Sequence, residues 1–109
     1  MQDALSMIER FTDASQKTTV YGNREYNPGW HTSLDLEHLL TVSEAIARAG
    51  LLRQESRGAH FRDDYPDKSS EWAKYNIAIR KGFGGTMQVE RIPTVPLTDQ
   101  QKAIIEEMK

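Results

Sequence analysis

The side chains best suited to chemistry crowd into one short stretch, Arg57-Gly58-Ala59-His60-Phe61-Arg62-Asp63-Asp64. Two guanidiniums and an imidazole this close can clamp a dicarboxylate, with His60 as a proton donor near neutrality. The same residues have a structural reading. Arg57 and Arg62 would pair with carboxylates or carbonyls across a domain boundary, while Ser56 and His60 satisfy backbone groups at a helix end. The structural reading is preferred, because an open loop offers no dry pocket in which such charges gain strength. Asp63 and Asp64, as adjacent loop carboxylates, are expected to face water.

Other candidates carry less. His31 lies in a loop and His38 on a helix, and neither has a second ligand at i+4, so packing or solvation is the default over metal binding. Glu106, Glu107 and Lys109 read as a solvated helix end. No Ser/His/Asp set or P-loop stands out. The Gly cluster Lys81-Gly82-Phe83-Gly84-Gly85-Thr86 has the wrong spacing for a dinucleotide fingerprint, and no helix follows it directly.

The cluster must be positioned by the segment before it. Leu36, Leu39, Leu40, Ser43, Ile46, Ala47 and Gly50 recur at the helical period, which predicts a long helix from Leu34 to about Arg57 with Gly58 as its stop. Thr32 and Ser33 are its candidate caps, with Asp35 suited to its positive end. Glu37, Thr41, Glu44 and Arg48 form the wet stripe, and Glu44 to Arg48 is a favourable i,i+4 pair. Ala45, Ala47, Ala49 and Gly50 are small enough to let another element approach closely.

Upstream, Ala4, Ile8, Phe11 and Ser15 predict a first helix over Gln2–Gln16, widened by Leu5 and Met7 and paired antiparallel with the long one. Residues 18–33 read as a connection, with turns at Tyr21-Gly22-Asn23 and Asn27-Pro28-Gly29-Trp30. Its aromatic residues Tyr21, Tyr26 and Trp30 are expected to pin it to the helices. After the polar link Asp67-Lys68-Ser69-Ser70, Trp72–Lys81 and Thr86–Ile92 alternate at strand period with glycines between, which predicts a β-hairpin ended by Pro93 and Pro96. Thr98 caps a short last helix, with Asp99 in its first turn and Ala103, Ile104 and Met108 packing down.

A chain of 109 residues fits one small domain. Its net charge of -2 gives no footprint for nucleic acid and no polybasic membrane anchor. Without cysteine, it supplies no disulfide, iron–sulfur ligand or cysteine-based zinc site. No run approaches the roughly 20 apolar residues of a membrane span, and no signal-peptide core opens the chain.

Gln54-Glu55-Ser56-Arg57-Gly58-Ala59-His60-Phe61-Arg62-Asp63-Asp64-Tyr65-Pro66 resembles the ESRGAHxRxDYP signature near the end of the C-terminal helical domain of succinate dehydrogenase and fumarate reductase flavoprotein subunits. Tyr26-Asn27-Pro28-Gly29-Trp30, Leu34–Arg53 and Glu71-Trp72-Ala73-Lys74-Tyr75 are similar to that domain too. L-aspartate oxidase carries a close variant with a bulkier residue after the Gly, so Ala59 and Arg62 favour the dehydrogenase/reductase branch.

The resemblance implies a mainly α fold: part of a three-helix, spectrin-repeat-like bundle beginning at its second helix, then a small β-hairpin and a short C-terminal helix. Residues 1–66 would be the bundle part and 67–109 its extension. An apolar strip of about 500 Å² would then lie uncovered and favour self-association into a homodimer. In the family, the Arg and His residues that hold the dicarboxylate belong to the FAD and capping domains, so no catalytic, cofactor or metal residue is carried over. Ser56, Arg57, Gly58, His60, Arg62, Asp64, Tyr65 and Pro66 would instead dock this domain onto the flavin domain. The chain would be a detached C-terminal portion of a longer flavoprotein. That parent would bind FAD, work with an iron–sulfur subunit, and sit at the cytoplasmic face of the bacterial inner membrane. The rival readings are the same domain from L-aspartate oxidase or another FAD enzyme, and a stand-alone helical interaction module.

Overall fold

The computed structural model describes residues 1–108. Two helices, α1 (Gln2–Ser15) and α2 (Pro28–Leu52), precede a β-hairpin of β1 (Tyr75–Lys81) and β2 (Met87–Pro93), and a short helix α3 (Asp99–Glu107) follows. Met1 lies beside Gly50 near the end of α2, while Thr12 and Asp13 lie beside Glu44, so α1 and α2 are antiparallel as expected. A Cβ on Gly50 would come within 3.1 Å of the Met1 sulfur, which is the close approach the small residues were expected to allow.

Helix α2 begins earlier and ends earlier than its periodicity indicates. Asn27, in extended conformation, accepts a hydrogen bond on its side chain from the Trp30 backbone N–H, and Pro28 occupies the first turn. The segment Asn27-Pro28-Gly29-Trp30 is therefore a helix start and not a turn. Asn as cap followed by Pro, whose missing N–H costs nothing there, is a favourable opening. Thr32 and Ser33 lie inside the helix, where their hydroxyls donate back to the carbonyls of Pro28 and Trp30 at 3.0 and 2.8 Å. At the other end Arg53 is already extended, five residues before Gly58.

Only part of each expected face is covered. Leu36, Leu40, Ala47 and Gly50 are half-buried, but Leu39, Val42 and Ile46 are 62, 57 and 68 % exposed. On α1 the inward residues are Leu5, Ile8 and Ser15, whereas Ala4 and Phe11 are exposed. Glu44 and Arg48, assigned to the wet stripe, are half-buried and joined at 2.6 Å.

The loop between the helices is not pinned by its tyrosines. Tyr21 and Tyr26 are exposed, the latter in the left-handed region at φ 55. Trp30 is half-buried beneath the Arg24 guanidinium at 4.8 Å. Asn27 holds the loop instead: its Nδ2 donates to the Tyr21 carbonyl at 2.9 Å.

In the hairpin, antiparallel pairing runs from Tyr75 opposite Pro93 to Lys81 opposite Met87. Trp72–Lys74 is a 3-10 turn and not strand, and Trp72 is the one apolar side chain buried among the described residues. Tyr75 and Ile77 are half-buried on β1, while Ile79, further along the strand, is exposed. Helix α3 has its Thr98 cap, strengthened by a reciprocal capping box with Gln101. It does not pack down: Ala103, Ile104 and Met108 are all exposed. Glu106 and Glu107 are exposed, and Lys109 lies outside the described residues. The radius of gyration of 19.9 Å, against roughly 13 Å for a compact chain of this length, reflects a shape extended to 63 Å along its longest axis.

Candidate functional site

The signature loop folds around a buried carboxylate. Once α2 stops, Arg53 turns extended and the chain bends at Glu55, and the side chains of Arg53 and Arg57 converge on that of Glu55. The Glu55 side chain is wholly buried. Its Oε1 accepts from Arg57 Nε at 2.9 Å and from Arg53 Nη1, and its Oε2 accepts from Arg57 Nη2 at 3.1 Å and from the Ser69 N–H at 2.8 Å. The Arg57 bonds, then those from Ser69 and Arg53, outweigh the opposing effect of burial and hold the Glu55 carboxyl down at about 2, from an ordinary value of 4.5. Both arginines then reach onward, Arg57 to the Ser69 carbonyl at 2.9 Å and Arg53 to that of Tyr75 at 3.1 Å.

A second arginine cluster closes the helix end. Arg62 Nη1 donates to the carbonyls of Gly50, Leu51 and Arg53 at 3.0, 2.8 and 2.9 Å. Carbonyls at a helix end lack partners inside the helix, and a cation suits the negative end of its dipole. The other edge of the guanidinium forks onto Asp64 at 2.8 and 2.5 Å, which lowers the Asp64 pKa. Asp64 is thus exposed on one side yet paired, not merely solvated. The Arg62 plane also lies 4.7 Å from the Tyr65 ring.

Ser56 ties the loop's two ends. Its buried hydroxyl donates to the Tyr65 carbonyl at 2.7 Å and accepts from the Arg62 N–H at 2.9 Å. Arg57 and His60 exchange both backbone bonds at 2.8 and 3.0 Å, so Gly58 and Ala59 form a tight projecting tip. Gly58 has φ 60, and a Cβ there would meet nothing within 4 Å. Its conformation, not the space around it, calls for glycine. His60 Nε2 lies 3.4 Å from the Arg53 carbonyl.

These partners bear on the two readings of the cluster. Arg57 and Arg62 do pair with carboxylates and carbonyls, but those of their own chain. A dicarboxylate clamp would require both guanidiniums to abandon them. Facing outward instead are Gly58, Ala59, Phe61 and Asp63, all exposed, with Phe61 at 66 %. Phe61 and Asp63 border an open groove of about 650 Å³ shared with Met1, Asp3 and Leu51. Among the described residues no three His, Cys, Asp or Glu side chains group closely enough to hold a metal ion. No helix among them is long and apolar enough to cross a membrane.

Residues 1–106 match the family described as fumarate reductase flavoprotein C-term. The chain belongs to that flavoprotein C-terminal family. A fumarate reductase flavoprotein of Mycobacterium tuberculosis is 35% identical over 71 residues, 65% of this chain and 12% of the relative. A CoM/CoB fumarate reductase polypeptide of Methanothermobacter marburgensis is 31% identical over 81 residues, 74% of this chain and 15% of the relative. In the Mycobacterium smegmatis Sdh1 complex in the apo form, one chain superposes with a TM-score of 0.77 at 36% identity. That match covers 89% of this chain and 17% of the other. The chain therefore spans only about one-eighth to one-sixth of the proteins it resembles.

Flavoproteins of this family bind FAD, but the glycines here do not fit a phosphate cradle. Gly82, Gly84 and Gly85 sit at the tip between two antiparallel strands, Phe83 projects there fully exposed, and only a single 3-10 turn, Phe83–Gly85, begins there before the chain returns as β2. Glu55 and Arg53 are not singled out by the sequence, although every i±2 contact of the buried cluster depends on them. Their signal is an Arg-x-Glu-x-Arg alternation, legible only once the helix is ended at Leu52.

Proposed function

We propose that this chain is the C-terminal docking domain of a succinate dehydrogenase or fumarate reductase flavoprotein, itself non-catalytic. The parent interconverts succinate and fumarate through FAD. It passes electrons to an iron–sulfur protein of the same complex, on the cytoplasmic face of the bacterial inner membrane. Residues 1–66 supply the spectrin-repeat-like bundle portion and 67–109 its extension. The partner surfaces are the FAD and capping domains. The exposed Leu39, Val42 and Ile46 stripe is where isolated copies associate into a homodimer.

One observation carries the non-catalytic reading: the charged groups of the signature satisfy each other. Glu55 with Arg53 and Arg57, and Asp64 with Arg62, form two internally paired clusters that shape the loop. Guanidiniums held this way are poor ligands for a small diacid. The division of labour within the signature follows. Ser56, Arg62 and Asp64, with His60 and Tyr65, hold the loop's form, and Arg57 both holds it and reaches the surface. Gly58, Ala59 and Phe61 present the contact.

The test uses this chain and a family flavoprotein lacking its own matching segment. Ala59→Arg enlarges the exposed tip without touching either cluster. It is expected to weaken binding in trans by about tenfold or more, since an interface centre tolerates neither bulk nor unpaired charge, while the chain's own melting temperature stays put. Equal affinity for both forms would remove the tip from the interface.

A further inference from the structure

Apolar side chains of the helix pair and the hairpin face each other across open crevices, one of them between Val42 and Ala45 of α2 and Ile79 and Met87. Leu5, Leu51 and Leu52 face Met87 and Val89 across an open crevice of about 450 Å³. What joins the two parts closely is polar. Glu55 accepts from the Ser69 N–H, Arg57 donates to the Ser69 carbonyl, and Arg53 donates to the Tyr75 carbonyl at the first residue of β1. All three grip main-chain groups of the segment that leads into the hairpin. That segment in turn is tied to the far strand: Thr94, just past β2, donates from its N–H and hydroxyl to the Lys74 carbonyl at 2.8 and 3.1 Å. Trp72 is seated on the same arginine, with Arg53 5.2 Å from its ring and Arg91 of β2 at 4.9 Å on it as well.

We infer that Glu55 is the positioning residue of the hairpin: one buried carboxylate orients Arg53 and Arg57, and through them fixes β1 and β2 relative to α2. Arg57 also closes the Gly58–Ala59 tip by its backbone bonds to His60, so the tip and the hairpin are held in one fixed relation. This goes beyond the docking reading and does not rest on it, because every contact lies within the chain. A two-stranded hairpin alone is marginal in water, so its protection from solvent draws on its attachment to α2, of which this cluster is the closest polar part.

Hydrogen exchange of the full chain with Glu55→Gln tests it. Gln keeps the shape of Glu but cannot hold two guanidiniums with charge. Amides of 75–81 and 87–92 are expected to exchange about tenfold faster or more, while those of 40–48 in α2 stay within about twofold of the parent chain. Unchanged exchange in the hairpin would overturn the assignment. So would an equal acceleration in α2 and hairpin, which would mean a loss of overall stability only. Should Glu55→Gln not fold, Arg57→Lys gives the same readout, since it keeps the charge and loses the fork that spans Glu55 and Ser69.

Discussion

Trp72→Ala is expected to cost about 3–5 kcal/mol, the range for removing a large buried aromatic side chain. Trp72 is 7 % exposed and is the only buried apolar side chain among the described residues. In a chain with so small a core, no neighbouring cluster can close over the cavity. The loss also strips Arg53 and Arg91 of the ring they both contact. Small domains have total stabilities of roughly 5–15 kcal/mol, so this one change removes a large fraction. Urea unfolding followed by circular dichroism measures it directly. Trp72→Phe keeps an aromatic ring within reach of both guanidiniums and is expected to lose much less. An alanine variant within about 1 kcal/mol of the parent chain would show that the hairpin is not seated through Trp72.

Acid is the second large perturbation. Glu55 titrates at about 2 in the folded chain against an ordinary 4.5. A depressed carboxyl contributes stability that is fully present above the unfolded value and is lost as pH falls toward the folded one. The window is therefore from about 4.5 down to about 2. Asp64, lowered by Arg62, loses its contribution in the same direction. In the parent chain the urea midpoint is expected to fall steeply across this window. In Glu55→Gln it starts lower and falls with a slope shallower by about one proton. Parallel curves for the two chains would mean that Glu55 is not held in its ionised form.

How much of this is legible in the sequence differs from residue to residue. The hairpin is readable because period-two alternation on both sides of a glycine run has few other solutions. The Thr98 cap is readable because Gln101 stands three residues on. The start of α2 misleads for a local reason: Asn-Pro-Gly is both a turn signal and a cap followed by a first-turn proline, and only the residues beyond Trp30 distinguish them. The end misleads because Leu51 and Leu52 prolong the apolar pattern into Arg53, where the backbone has become extended. That extension hides the central carboxylate. On a helix Arg53 and Arg57 would share a face with Glu55 on the opposite one, and only after the helix ends do both meet Glu55. The exposure of Leu39, Val42 and Ile46 is beyond periodicity altogether, since a helical period reports that a face is apolar and not what covers it. The tyrosines of the inter-helix loop are not its anchors because Asn27 holds it with one side-chain amide.

In the docking role proposed for it, the signature loop is a shaped contact for a flavin-bearing body. The most direct test of that role is the FAD-to-protein ratio of a full-length flavoprotein of this family carrying this chain as its C-terminal segment, with and without Ala59→Arg. The ratio is expected to drop in the variant although the segment itself stays folded. A ratio equal to that of the unaltered protein, at the same melting temperature, would contradict the claim.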